Sequence, residues 1–490
     1  MAHSILYNTE SNRNNGSNYN TQTVMKKNLF IIVILVAVCF TASAQTQTLS
    51  PGQQQAHDIF KELIEINTTH THGSTTPAAK AIAKRLLAAG FAQKDVMVIG
   101  PKETNQNLIV RLHGTGKAKP VLFLAHLDVV EALQKDWSLD PFKLTEQEGF
   151  FYGRGTMDIK DGAAILVADF IRLKKEAYVP DRDLILALTA GEEASADYNG
   201  VYWLLENHRD LIDAEFCINM DAGDPQMKNG KRISRTVQAS EKGVISFSLE
   251  VKNPGGHSSL PSRDNAIYHL ADGLARLEVF DFPAQLNEVT KSYFAKMGAN
   301  ESSQLGADMK TVSENPLDTA AISRLSTSPY YNAMMRTTCV ATMLEGGHAT
   351  NALPQTAKAI VNCRVLPGTT QDEVQSTLIR VLNDKQIAIT ALNSLLDNPA
   401  SPLKPEIMQK IGDVTKNYWP GVTVLPVMEV GATDGIYLRG KGIPTYGVSG
   451  VFIDVDDVRA HGKDERIGVK EFYDGLEYEY GLIKSFGSIH

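Results

Sequence analysis

A glycine-rich turn at residues 153–162 presents the carboxylate of Asp158 in a sequence rich in candidate metal ligands. Upstream lies an H-x-D pair, His126 and Asp128. If the chain is extended there, both side chains share a face, so one could bind a metal while the other accepts the second ring N–H of the histidine. Taken alone, such a pair is more often a buried histidine held by a carboxylate for structural reasons.

Further candidates follow downstream. Glu192 and Glu193 are adjacent and project differently, so one could bind a metal while the other accepts a proton from a water molecule. Asp221 and His461 are additional candidate ligands, although each residue alone also fits a plain surface or turn position. Together with Asp158, these residues suit two divalent cations about 3.5–4 Å apart. Nitrogen and oxygen donors without thiolate favour zinc, with cobalt or manganese as substitutes.

Apolar runs precede three of these candidates and predict the elements that position them. Residues 121–125, 184–188 and 216–220 are apolar on both faces, which indicates buried parallel strands. These strands alternate with helical stretches, so we expect an α/β fold with helices on both faces of the sheet. The ligand site of such a sheet lies at the carboxyl ends of its strands, where the candidate residues emerge.

A second unit interrupts this pattern. Between residues 245 and 392 the order of elements is β-α-β-β-α-β, which predicts an inserted ferredoxin-like α+β unit because the first pattern resumes near residue 422. We therefore expect a catalytic domain in two parts, with the insertion between them. The polar stretch 280–336 has no assigned element and is too long for a simple loop. The predicted boundaries are 50–239, 240–394 and 395–490.

Composition bounds the class of protein. The chain has 490 residues, is 43% hydrophobic and carries a net charge of −8, which favours two domains and excludes a basic surface for nucleic acid. A small molecule is the expected partner. Cys217, Cys339 and Cys363 lie in or beside apolar runs, and we expect buried thiols instead of a disulfide framework.

The N-terminal segment predicts export. Residues 1–24 form a polar upstream extension, and residues 25–44 combine a basic stub, an apolar run and Ala-Ser-Ala, the pattern of a cleaved signal peptide. The apolar run is shorter than the roughly 20 residues that span a bilayer. An uncleaved anchor and lipid attachment at Cys39 are the alternatives. We expect a periplasmic or secreted protein with no stable membrane anchor after cleavage.

The whole set of motifs resembles metallopeptidase family 20, the di-zinc hydrolases that include aminoacylase, carboxypeptidase S, glutamate carboxypeptidase, carnosinase and succinyl-diaminopimelate desuccinylase. The resemblance extends from about residue 60 to the end and is closest to the carboxypeptidase S branch. It implies a zinc-exopeptidase-like catalytic domain with a mixed, mostly parallel sheet, and an inserted lid and dimerisation domain. The ordered motifs are His126-Leu127-Asp128-Val129-Val130, Tyr152-Gly153-Arg154-Gly155 through Asp158-x-Lys160, Gly191-Glu192-Glu193, Asp221 and His461.

The same resemblance implies a ligand set for two zinc ions. One ion would lie on His126 and Asp221, and the second on Glu193 and His461. Asp158 would bridge the two ions.

The resemblance also implies roles around the ions. Asp128 would orient the first histidine ligand, and Glu192 would deprotonate the water and later protonate the leaving amine. His257 would reach the site of the partner subunit in a homodimer and stabilise the oxyanion. Four positions match residues that hold the substrate carboxylate: Asn351, Arg364, Gly431 and Thr433.

The sequence therefore predicts an exported di-zinc hydrolase that cleaves an amide bond next to a free carboxylate. Its substrate would be a small peptide or an N-acyl amino acid, as for a carboxypeptidase or an N-acyl-amino-acid amidohydrolase. A dipeptidase of the same family is the alternative, and the two differ in whether a free α-amino group is required. A non-enzymatic alternative is an inactive protein that binds ligands in its cleft, although Glu192 would then have no use.

Overall fold

The computed structural model describes residues 48–194 and 198–489. The predicted extension 1–24 and signal segment 25–44 lie outside the described residues. The chain divides into Met1–Ser50 and the compact unit Pro51–His490, and the strands and helices of the described residues lie in the second unit. No helix within the described ranges is long and apolar enough to cross a membrane.

Strands and helices alternate through this unit. The strands are β1 Val96–Lys102, β2 Asn105–Leu112, β3 Val121–His126, β4 Thr145–Gln147, β5 Phe150–Tyr152, β6 Leu184–Thr189, β7 Phe216–Asn219, β8 Pro225–Lys228, β9 Lys231–Glu241, β10 Gly243–Lys252, β11 Gly256–His257, β12 Thr338–Gly346, β13 Ala352–Leu353, β14 Thr356–Val365, β15 Ile387–Ala391, β16 Thr423–Glu429, β17 Thr445–Gly447, β18 Ile453–Asp454 and β19 Arg466–Gly468. The helices are α1 Pro51–Glu65, α2 Thr75–Ala88, α3 Lys160–Lys175, α4 Gly200–Asn207, α5 Arg209–Ile212, α6 Ala266–Glu278, α7 Glu288–Asn300, α8 Gln304–Glu314, α9 Thr319–Leu325, α10 Pro329–Met335, α11 Gln371–Leu382, α12 Pro405–Tyr418, α13 Gly435–Gly440 and α14 Val469–Gly487.

The main sheet is mixed and largely parallel at its centre, as predicted. Its strand order is β1-β2-β6-β3-β7-β17-β9-β8-β18, and β16 pairs with β9. Strand β3 lies between β6 and β7 and is parallel to both. Every residue of β3 and β6 is buried, because both faces of these apolar strands are covered. The carboxyl ends of β3, β6 and β7 therefore meet at one edge of the sheet.

A separate four-stranded antiparallel sheet has the order β12-β14-β10-β15. With α6 and α11 it forms the predicted β-α-β-β-α-β arrangement. Alternate residues of β14 are buried, and Val361 packs with Phe247, Leu249 and Leu378 in a core shared by the sheet and the helices. Strand β12 is an edge strand whose last seven residues are exposed, so the apolar side chains among them face solvent.

The unassigned stretch 280–336 folds into four helices, α7 to α10, which we call the helical insertion. Side chains cap three of them: Asn287 accepts from Thr290 N–H, Asp318 from Ala321 N–H and Ser328 from Tyr331 N–H. The insertion has its own buried core. The core residues are Tyr293, Phe294, Met309, Val312, Ala321, Leu325, Met334 and Met335, together with Val427 of β16.

The expectation of buried free thiols was wrong for two of the three cysteines. Cys339 on β12 and Cys363 on β14 form a disulfide, with 4.1 Å between their Cα atoms. They are direct partners in the antiparallel register, and this close spacing of opposite residues allows the bridge. An odd count of cysteines does not exclude one pair. Cys217 is free and buried, as expected.

One buried acid predicts a dependence of stability on pH. Burial raises the pKa of Glu479 from its ordinary 4.5 to about 8, and neither side-chain oxygen has a hydrogen-bond partner among the described residues. The folded state therefore binds a proton at Glu479 more tightly than the unfolded state does. The contribution of this proton to the stability of the fold is full below about pH 4.5 and is lost as the pH rises towards 8. Glu479→Gln should raise the free energy of unfolding at pH 8 by roughly 1–3 kcal/mol.

Urea unfolding of the wild type and Glu479→Gln at pH 5 and pH 8 measures this effect. The exposed control Glu278→Gln should change stability little at either pH. An equal effect of Glu479→Gln at both pH values would contradict the prediction.

Candidate metal centre

The predicted ligands lie at the carboxyl ends of the central parallel strands. His126 is the last residue of β3, Asp221 follows β7, and Glu193 follows β6. Asp158 lies in the turn before α3, and His461 lies in the loop between β18 and β19. The parallel pairing of β3 with β6 and β7 brings these separate segments to one edge of the sheet.

Two histidines face the same carboxylate from different sides. His126 Nε2 lies 3.1 Å from Asp158 Oδ1 and 3.5 Å from Asp221 Oδ1. His461 Nε2 lies 3.0 Å from Asp158 Oδ2 and 2.7 Å from Glu193 Oε1. Each oxygen of Asp158 therefore has its own histidine and its own second carboxylate, the arrangement that a bridging ligand requires.

These donors fit two divalent cations. Ligand atoms of His126, Asp158 and Glu193 lie within 4.8 Å of one another, and a second such group, His126, Glu192 and Asp221, shares His126 with the first. The distances from His126 and His461 to the two oxygens of Asp158 are what place donors on two sides. All are nitrogen or oxygen donors, which suits zinc and its substitutes. Without cations the carboxylates would repel one another, so the cluster requires protons or metal ions to stay together.

The pKa shifts show this excess of negative charge. Burial opposes the charged form of His126, but Asp221 and Asp158 raise its pKa well above the ordinary value. Hydrogen bonds to Asp158 and Glu193 raise the pKa of His461 to about 10. Burial raises the pKa of Asp221 to about 7. Bound cations would replace these protons, which is the behaviour of a metal site.

Asp128 supports the site in a different way from the prediction. The expected partner of the His126 ring was the Asp128 carboxylate, but Asp128 Oδ1 lies 3.9 Å from His126 Nδ1. The backbone carbonyl of Asp128 instead accepts the Nδ1–H bond at 2.9 Å. This bond leaves Nε2 free to bind a metal. The Asp128 carboxylate instead accepts backbone N–H groups of Gly191, Glu192 and Glu193, at 2.7, 3.2 and 3.0 Å. It therefore fixes the turn that presents the two glutamates.

Glu192 lies in the same cavity as the ligands. The cavity has a volume of about 390 Å³, and Asp158, Glu193, Asp221 and His461 line it together with Glu192. Burial and the nearby Asp221 raise the pKa of Glu192 well above its ordinary value. A carboxylate whose proton affinity is raised is suited to accept a proton from water and to return it.

Of the four predicted substrate-binding residues, two line this cavity. Gly431 and Thr433 do so, and the Thr433 N–H donates to Glu241 at 2.8 Å. Asn351 lies in an exposed loop and Arg364 lies on β14, and neither is among the described residues that line the cavity. His257 on β11 is also exposed and outside the lining, with Ser259 Oγ 2.7 Å from its Nδ1.

Glu465 was missed by sequence reasoning. Its side chain is fully buried, and Oε1 accepts N–H bonds from Gly155, Met157 and Asp158 at 3.1, 2.7 and 3.1 Å. Its other oxygen pairs with Arg154 at 2.6 Å. The carboxylate therefore holds the turn that presents Asp158. The only signal in the sequence was an acid four positions after His461.

Glu465→Gln should lower zinc affinity about 10–100-fold, because the amide cannot accept all of these bonds and the supported ligand loses its fixed position. Competition with a fluorescent zinc chelator measures the affinity, and circular dichroism checks the fold. Glu146→Gln, at an exposed position of β4, is the matched control. Unchanged affinity in a folded Glu465→Gln protein would contradict the positioning role.

Comparison with known proteins agrees with this fold and site. Residues 122–485 match peptidase family M20/M25/M40, so the chain belongs to this family. It is 29% identical over 377 residues to the human N-fatty-acyl-amino acid synthase/hydrolase PM20D1, covering 75% of this chain and 74% of that protein. It is 28% identical over 392 residues to the probable carboxypeptidase S-like 2 of Dictyostelium discoideum, covering 78% and 74%.

Solved structures share the fold. The M20 family metallo-carboxypeptidase Sso-CP2 from Sulfolobus solfataricus aligns with a TM-score of 0.65 and 16% identity, over 88% of this chain and 99% of that one. The Bacillus subtilis YXEP protein, a dinuclear metal-binding peptidase from the M20 family, aligns with a TM-score of 0.56 and 12% identity, over 88% and 97%. The family, the fold and the cluster of donors together define the protein as a metal-dependent hydrolase.

Proposed function

We propose that the protein is an exported di-zinc hydrolase that cleaves an amide bond next to a free carboxylate. The observation that carries this proposal is the arrangement of His126 and His461 on opposite oxygens of Asp158, with Glu192 in the same cavity. A protein that only bound ligands would not need a base at this position.

The chain's own residues provide the proton transfers. Two zinc ions, when bound by His126, Asp221, Asp158, Glu193 and His461, would polarise the scissile carbonyl and activate a water molecule. The Glu192 carboxylate takes a proton from the attacking water and gives it to the leaving nitrogen. The amide bond breaks as the new carbon–oxygen bond forms, and the products are a carboxylic acid and an amine.

Relatives suggest the chemical class of substrate. The human relative is named for N-fatty-acyl amino acids, and the Dictyostelium relative is named as carboxypeptidase S-like. For this chain we propose a small peptide or N-acyl amino acid, with the carboxylate held by Asn351, Arg364, Gly431 and Thr433.

A homodimer is part of the proposal. The exposed edge strand β12 carries Val340, Met343 and Leu344, which are 60%, 58% and 68% exposed. An exposed apolar edge favours pairing with another strand, and a second copy of the same chain would bury it. Such pairing would allow His257 to serve the site of the partner subunit.

Export is supported by the disulfide. The Cys339–Cys363 bridge is a feature of oxidising compartments and agrees with the signal segment at 25–44. We propose a periplasmic or secreted location.

The function is tested by metal content and hydrolysis together. Protein purified with zinc should contain close to two zinc ions per chain by elemental analysis, because each side of Asp158 has two further ligands. It should hydrolyse members of a mixed pool of N-acyl amino acids and dipeptides, and a chelator should abolish the activity until zinc is restored. One ion or none per chain, or hydrolysis that resists the chelator, would contradict the di-zinc proposal.

A further inference from the structure

The helical insertion contributes one residue, Tyr330, to the lining of the cavity of the metal centre. It lies in sequence between α6 and β12, but its core includes Val427 of β16, and Lys296 Nζ donates to the Val424 carbonyl at 3.0 Å. It is therefore packed against the main sheet. Tyr330 of α10 lines the cavity.

The cavity is strongly acidic. Among the described residues that line it, six carry carboxylates and none is lysine or arginine. Four of the six, Asp158, Glu192, Glu193 and Asp221, belong to the metal centre, where two divalent cations would balance their charge. The remaining two, Asp224 and Glu429, lie beyond the predicted ligand set.

Glu429 has the least compensated charge of these two. It ends β16 opposite Glu241 of β9, and the Glu241 carboxylate is already paired with Arg439 and with the Thr433 N–H. Burial, together with the negative charges of Asp224 and Glu241, raises the pKa of Glu429 to about 7. A nearby cation would restore its charged form.

Asp224 is better supported but also acidic. Burial raises its pKa to about 6, although a hydrogen bond from Ser449 and the charge of Arg235 oppose the rise. Of these two carboxylates, Glu429 is therefore the one whose negative charge is less balanced by its surroundings.

We infer that the wall formed by Glu429, Asp224 and Tyr330 selects substrates that carry a protonated amine. The inference rests on the proposed amide hydrolysis, because the cavity that holds the scissile bond is the cavity that this wall completes. An ammonium group would place its donors against the Glu429 carboxylate and the Tyr330 oxygen. A long alkyl chain would leave the Glu429 carboxylate covered and without a partner, at a cost in affinity.

Two positions on a substrate could supply the amine. It could be the α-amino group of the acyl part, as in a dipeptide, or the side chain of a basic C-terminal residue. Alanyl-leucine and N-propanoyl-leucine differ only in the α-amino group. N-propanoyl-lysine and N-propanoyl-norleucine differ only in the side-chain amino group. The two pairs therefore separate the two sources.

For wild-type enzyme, kcat/KM should favour the amine-bearing member of one pair by about 10–100-fold, the value of a hydrogen bond to a charged group. Glu429→Gln keeps the shape but removes the charge, so it should reduce that ratio by a similar factor. Glu314→Gln, which removes one charge from an exposed position of the helical insertion, should leave the ratio unchanged.

Binding provides a readout that does not depend on turnover. Calorimetry on Glu192→Gln protein, with and without the second change Glu429→Gln, should show the same ratio in Kd for the same pair. Ratios near one for both pairs in the wild type, or a ratio that survives Glu429→Gln, would overturn the inference while hydrolysis itself would still support the proposed function. If no compound is hydrolysed, the proposed function fails, and the Kd ratios alone decide whether the wall selects amines.

Discussion

Glu192→Gln is expected to lower turnover about 10²–10⁴-fold while the protein still binds two zinc ions. The amide keeps the size and shape of the side chain but cannot accept a proton from the attacking water. Glu192 lines the cavity together with Asp158 and His461, so the loss arises at the reacting atoms. Single-turnover hydrolysis and elemental analysis of the same preparation measure the two quantities.

The adjacent residue is the matched control for this prediction. Glu193 Oε1 lies 2.7 Å from His461 Nε2, on the side of Asp158 opposite His126. Glu193→Gln should therefore lose metal, and should lose activity only to that extent. If both variants retained two zinc ions and turned over at similar rates, the division of roles between the two glutamates would be wrong.

The part of the candidate site that could be predicted is the part whose residues directly follow strands that the local sequence specifies. The apolar runs before His126 and Asp221 form buried parallel strands, and parallel strands bring their carboxyl ends to one edge whatever their separation in sequence. Strand pairing therefore brings motifs that are separate in sequence into one site. The β-α-β-β-α-β order was readable for the same reason, because each element carries its own periodicity.

Features that depend on tertiary contacts were not predictable. The disulfide requires the register that places Cys339 opposite Cys363, and the sequence does not give this register. Glu465 supports Asp158 only because β19 pairs with β5, which brings the end of the chain beside the turn. The helices of the insertion are short, and their apolar faces become clear only when they share a core.

His257→Ala is expected to lower turnover roughly 10²–10³-fold without changing zinc content. The reason is the loss of one donor aimed at the charge that develops on the scissile carbonyl oxygen. In the structure His257 is exposed and outside the lining of its own chain's cavity, so the expected effect requires the cavity of a partner subunit. Turnover with saturating substrate and elemental analysis test this expectation.

Complementation tests the subunit that His257 serves. A heterodimer of His257→Ala and Glu192→Gln subunits has one site with an intact Glu192 and the partner's intact His257. Random exchange of equal amounts should therefore restore about a quarter of wild-type activity, since half of the dimers are mixed and each has one working site. The control is the double variant, in which every subunit carries both His257→Ala and Glu192→Gln. Exchange among its subunits should restore no activity. Absence of rescue after native mass spectrometry confirms exchange would place His257 in its own chain's site or in a structural role. A monomer in solution would exclude the shared site, because no second subunit would be present to supply His257.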